Sequence, residues 1–148
     1  FWTPHTRTGS SAIGADTFKI AMFTNSSSIS ADTTGYTTGN EVSGTAYTAG
    51  GNSLASVTLA LGDNSSSVPT AFLDFADSTW STSTISSARG ALIYNSTLST
   101  AGTGSTTNHA ADPAVAVINF GGDKSSSAGD FTIQFPANDA NNAIIRIS

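Results

Sequence analysis

Apolar side chains in this chain recur at every second position, in short runs separated by turn residues, and not at the three-and-four spacing of a helix face. A backbone patterned in this way forms strands with one side toward a core, so the fold is expected to be all-β. The first run, Thr17 to Thr24, sets Phe18, Ile20 and Met22 against Thr17, Lys19 and Ala21, and predicts a strand beside the core with one mostly polar face. Leu54 to Leu61 predicts a second strand, with Ala55, Val57, Leu59 and Leu61 on one side and Ser56, Thr58 and Ala60 on the other, before Gly62-Asp63-Asn64 turns the chain. Thr70 to Phe75 and the aromatic stretch around Trp80 follow. In Ala88 to Asn95, Arg89, Ala91 and Ile93 share one face and Gly90, Leu92 and Tyr94 the other. Apolar residues on both faces predict a central strand.

Pro113 precedes Ala114 to Phe120, a nearly continuous apolar run also expected to be central, and Gly121-Gly122-Asp123-Lys124 is expected to turn the chain into another strand. Asp130 to Phe135 alternates strictly, with Phe131, Ile133 and Phe135 against Thr132 and Gln134, and Pro136 ends it because proline cannot continue a ladder. Ile144 to Ile147 predicts a last short strand. The expected fold is a single antiparallel β-sandwich or jelly-roll-like domain over residues 16–148, behind an irregular N-terminal arm of residues 1–15. Two long Ser/Thr/Gly-rich loops, Asn25 to Gly51 and Ser96 to Pro113, interrupt it.

Composition narrows the function. Ser and Thr supply 46 of the 148 residues while only 10% are charged, which predicts a polar but weakly ionic surface over a folded core. The five basic residues, Arg7, Lys19, Arg89, Lys124 and Arg146, are scattered through a chain of net charge -5 and form no stripe for phosphates, so nucleic acid is excluded as a partner. The longest apolar run, Ala114 to Ile118, is far short of the roughly 20 residues of a membrane-spanning helix, and no basic-then-apolar leader opens the sequence. A chain that starts on Phe1 is expected to be processed or a piece of a longer product. With no cysteine it has neither disulfides nor thiolate metal ligands.

Enzyme chemistry finds no foothold in the sequence. A nucleophilic serine needs a histidine, and the two present, His5 and His109, stand in irregular segments without a motif around them. Asp74 and Asp77, three apart, would point to opposite faces of a strand, which makes turn capping by Asp77 the better reading than a carboxylate pair. Asp63-Asn64 and Asn138-Asp139 with Asn141 and Asn142 offer oxygen ligands in loops, but without calcium-loop spacing they read as Asx-turns. No catalytic residue, metal or cofactor is expected.

Two further features stand apart. Gly35-Tyr36-Thr37-Thr38-Gly39 and Ala46-Tyr47-Thr48-Ala49-Gly50 resemble each other eleven positions apart, too few copies for a solenoid. The opening Phe1-Trp2-Thr3-Pro4-His5-Thr6-Arg7 places two large aromatics in a stretch with no strand or helix pattern. Such aromatics tuck onto their own core or insert into a neighbour, which makes Phe1, Trp2, Pro4 and Arg7 the candidate interface residues. Trp80 reads as a core or sheet-edge residue in preference to a sugar-stacking platform.

Taken in order, the segments Asp16 to Thr24, Asn40 to Gly51, Phe72-Leu73-Asp74-Phe75 with Trp80, Ala88 to Asn95, Ala116 to Gly121 and Gly129 to Phe135 resemble a family of small β-rich structural proteins encoded near the capsid and tail genes of tailed bacteriophages. The resemblance implies a virion structural protein, foremost a capsid decoration or cement protein on the capsid exterior. Its implied partners are the major capsid protein and neighbouring copies of itself. A tail- or fibre-associated protein is the alternative within that class, and a carbohydrate-binding or adhesion module the alternative outside it. No catalytic residue comes with the resemblance.

Overall fold

A computed structural model describes residues 16–101 and 109–148. Among them every strand pairing is antiparallel, and the only helical element is a single 3-10 turn, Ser96–Leu98. The all-β, β-sandwich-like class expected from the alternation is the class observed. The strands are β1 Phe18–Phe23, β2 Gly44–Thr45, β3 Asn52–Ser53, β4 Thr58–Asp63, β5 Pro69–Asp74, β6 Ser78–Asn95, β7 Ala114–Ile133 and β8 Ile145–Ile147. They fall into two compact units, one built from residues 17–54 and 77–133, the other from Asp16, 55–76 and 134–148.

The larger unit is organised by β6. Its second half pairs with β1 along one side, Phe18 opposite Asn95 through Phe23 opposite Gly90, and with β7 along the other. Pairing on both sides buries Ala91, Leu92, Ile93 and Tyr94 together, so this stretch is central as its two apolar faces predict. β1 lies between β6 and β3, and Ile20, Ala21, Met22 and Phe23 are all fully buried. The wet face expected of β1 is therefore absent beyond Lys19, because Ala21 and Phe23 pack with Leu92 and Tyr94 beneath Ile29, Tyr36 and Ala114. The long segment from Asn25 to Gly51 holds only β2 and isolated bridges, Phe23 to Glu41 and Gly35 to Pro113.

β7 differs from expectation in two ways. It pairs with β6 alone and is an edge strand, not a central one, which is why Val115 to Phe120 are half-buried or exposed and not enclosed. It also runs unbroken through Gly121-Gly122-Asp123-Lys124, where a turn between strands is expected. Between the pairs Ala88–Lys124 and Gly90–Asn119, two steps along β6 face five along β7, so the glycines form a bulge inside one strand. Gly121 takes a positive φ of 73° there, its N–H donates to Asn119 Oδ1 at 2.8 Å, and Arg89 reaches Asp123 across the strands at 3.5 Å.

Further along the same hairpin the register shifts repeatedly, and side chains make bonds that a regular ladder would give to backbone carbonyls. The N–H groups of Thr82, Ile85 and Ser87 donate to Asp130 Oδ1, Ser126 Oγ and Ser125 Oγ, and Ala128 N–H donates to Thr84 Oγ1. The fully buried Ser83 shares a 2.7 Å hydroxyl contact with Ser126 and donates to Gly129 O. Part of the unusual Ser/Thr content thus completes an irregular hairpin whose N–H groups would otherwise lack partners.

The smaller unit is a three-stranded sheet in the order β4-β5-β8. The expected second strand begins later than predicted: Ser56 has a φ of 52°, and the ladder with β5 starts at Thr58 opposite Asp74. Its two sides differ in burial. Ala60 packs with Phe72, Ala140 and Ala143, while Leu59 and Leu61 face solvent. On the same side, Gly62 lies beside Ala140 and Phe72, where an added Cβ would meet them at ordinary contact distances of 3.5 and 3.6 Å. The two loops expected to be Asx-turns are so: Asn64 Oδ1 accepts from Ser66 and Val68 N–H, and Asp139 Oδ1 accepts from Asn141 and Asn142 N–H. The Asn142 side-chain amide, which donates to both carboxylate oxygens, and then these N–H groups hold the Asp139 carboxyl below its usual range.

Candidate interaction surface

Strand alternation decides what the small sheet presents. Leu59 and Leu61 of β4, Ala71 and Leu73 of β5, and Ile145 and Ile147 of β8 are register partners and share one face. Leu61 is 75% exposed, Ile147 56% and Leu59 42%, and Val68 in the connecting turn is 41% exposed. Val117 on β7, at 37%, is the remaining large apolar side chain that stands open among the described residues. Single exposed leucines are ordinary, but a contiguous apolar sheet face marks an interaction site. Asp63, at the hairpin end, is the one charged residue in the strands with the same parity.

The opposite side of the sheet carries a shallow pocket of about 410 Å³, lined by polar groups that include Asn64, Thr70 and Arg146. Arg146 donates to Asn141 O in its own loop. Asp74 is fully buried at the end of β5, with Oδ1 accepting from Phe75 N–H at 2.9 Å and Oδ2 without a hydrogen-bond partner among the described residues. No group of three or more metal-ligating side chains forms among the described residues.

In the larger unit the most connected polar group is Glu41, the only glutamate in the chain. Tyr36 OH donates to its Oε2 at 2.6 Å, while Tyr47 OH and Gly50 N–H donate to its Oε1 at 2.7 Å each. Tyr47 OH also accepts from Met22 N–H in β1, and Tyr94 OH donates to Gly50 O. Tyr36 stacks on Tyr94, and Tyr47 lies against Trp80, whose other neighbour is Phe131. Burial first, then the Glu41 carboxylate, hold the Tyr36 and Tyr47 hydroxyls protonated far above the usual phenol range. Burial, then the charges of Asp112 and Glu41, push Tyr94 up to about 12. This cluster ties the long Ser/Thr/Gly-rich segment to the sheet, and its hydroxyls are engaged in structure.

The sequence-predicted residues fare differently. Phe1, Trp2, Pro4, Arg7 and His5 lie outside the described residues. His109 contacts the neighbouring Ala110 carbonyl through Nδ1 at 2.8 Å. Trp80 is 2% exposed, a core residue as expected, and so offers no surface platform for a sugar. The apolar face of β4-β5-β8 escapes sequence reading because Leu59 and Leu61 look like core residues in an alternating run. The Glu41 cluster has a visible signal: the two tyrosine motifs eleven positions apart bracket the lone glutamate. No protein-family profile, curated protein or solved structure matches the chain.

Proposed function

We propose that this chain is a virion structural protein of a tailed bacteriophage, a capsid decoration or cement protein that joins the outer shell and braces it. The observation that carries this reading is the exposed apolar face of the β4-β5-β8 sheet in a chain otherwise rich in neutral hydroxyls. Such a face is stable in an assembly, where it is covered, and is the natural place for contacts with the shell or with adjoining copies. The ordered resemblance of the six segments from Asp16 to Phe135 supports a phage shell as that assembly. Reinforcement then comes from modest burial repeated at every symmetry-related position, with no bond made or broken.

Mixing the chain with expanded, undecorated capsids of the phage that encodes it, and imaging them, tests the proposal. Density at regular lattice positions on the shell is the expected result. Density on tails alone would replace the cement reading by the tail-associated one, and density on neither would remove both.

A further inference from the structure

We propose that Trp80, Tyr47 and Glu41 form a one-electron relay: a hole created on the buried indole passes to the Tyr47 ring while the Tyr47 hydroxyl proton passes to the Glu41 carboxylate. Trp80 is 2% exposed, and its Nε1–H has no hydrogen-bond partner among the described residues. An indole that loses an electron ordinarily sheds this proton to water. Sealed from any acceptor, Trp80 keeps it and remains the strongly oxidising radical cation. Tyr47 lies against it, with 5.9 Å between centroids and 24° between planes, close enough for ring-to-ring electron transfer without a carrier. The other aromatic neighbour, Phe131, is harder to oxidise than indole and does not compete as donor.

A phenol gives up an electron readily only if its proton leaves with it, and that requires a base already within hydrogen-bond reach. Tyr47 OH donates to Glu41 Oε1 at 2.7 Å, and the carboxylate is held in place by Gly50 N–H on the same oxygen and Tyr36 OH on the other. The step balances: the Trp80 radical cation, the Tyr47 phenol and the Glu41 carboxylate become neutral indole, a Tyr47 phenoxyl radical and a neutral carboxylic acid. The oxidant is a near-ultraviolet photon that ejects the first electron from the indole, and dissolved oxygen takes up that electron as superoxide. Tyr47 is half-buried where Trp80 is enclosed, so the relay moves an oxidising equivalent out of the core toward solvent. It asks nothing of the apolar sheet face or of a place on a capsid, and stands or falls apart from both.

Flash photolysis of the full chain carrying Trp2→Phe, which leaves Trp80 as its one indole, reads the step in air-saturated buffer. The absorbance of the indole radical cation should decay as that of the phenoxyl radical rises, at one rate that does not change with protein concentration. Tyr47→Phe, which keeps a ring against Trp80, should abolish that rise and lengthen the life of the indole radical at least about tenfold. Glu41→Gln, which keeps an acceptor oxygen but is too weak a base to take the proton, should slow the transfer at least about tenfold. Heavy water should also slow it with Glu41 intact, a measurement that decides the matter if Glu41→Gln does not fold. An indole radical that lives equally long with and without the Tyr47 hydroxyl, a phenoxyl signal that survives Tyr47→Phe, or a rise whose rate grows with protein concentration overturns the relay. A rate untouched by both Glu41→Gln and heavy water overturns the carboxylate's role, and with it the relay as stated.

Discussion

The Tyr36 ring lies almost parallel to that of Tyr94, with 4.6 Å between centroids and 14° between planes, and so fixes the long Asn25 to Gly51 excursion onto a central strand. Both hydroxyls lead to the same small network, Tyr36 to Glu41 and Tyr94 to the carbonyl of Gly50, whose N–H also reaches Glu41. A segment of polar small residues with little regular structure is held by three tyrosines and one carboxylate.

Alkaline pH should release it. The three tyrosines are the only ones in the chain, and all have their ionisation raised in the fold, Tyr94 to about 12 and Tyr36 and Tyr47 strongly in the same direction. A raised folded-state value means that stability is fully present below the unfolded value near 10 and falls as pH rises from there through the folded values. Absorbance of tyrosinate should therefore stay flat near pH 10 and rise cooperatively with unfolding at about 12 or above. A tyrosine titrating freely near 10 would contradict the network.

Glu41→Ala leaves two phenol hydroxyls and the Gly50 N–H without their acceptor. Denaturant melts should show a loss of about 2–4 kcal/mol, since bonds to a charged acceptor and part-buried orphaned donors are involved. Glu41→Gln, which keeps an acceptor oxygen, should lose less.

Two glycines separate steric exclusion from backbone strain. At Gly51, with φ at 70°, an added Cβ would start 1.8 Å from the Ile20 carbonyl oxygen, so Gly51→Ala must displace β1 and should cost about 3 kcal/mol or more. At Gly121, with φ at 73°, nothing lies within 4 Å, and Gly121→Ala should cost only the left-handed penalty of about 1–2 kcal/mol. Equal losses at the two sites would contradict the packing described for β1 and β3.

Ser126 completes the irregular hairpin by accepting from Ile85 N–H and meeting the buried Ser83 hydroxyl. Ser126→Ala should destabilise by about 1–2 kcal/mol and raise amide exchange at Ile85. Ser127→Ala, at an exposed neighbour, should do neither.

The strands were largely legible because alternation reports period directly: β1, β5, the second half of β6, the end of β7 and β8 all fall where apolar residues recur in twos. Period does not report side. Leu59 and Leu61 alternate with Ala60 and Gly62, and only the packing of Phe72 and Ala140 over the small pair turns the leucines outward. Two adjacent glycines before Asp123 carry the same signal for a turn as for a bulge, since both need residues tolerant of positive φ, and the partner strand decides between them. The Tyr36–Glu41–Tyr47 convergence depends on where a loop meets β1, which no local pattern encodes.

Amide hydrogen exchange of the chain, free and seated on the particle, tests the central claim most directly. The account predicts new protection in β4, β5 and β8, at residues 58–63, 69–74 and 145–147, on seating. Protection confined to the larger unit, with these three strands exchanging as in the free chain, would contradict it.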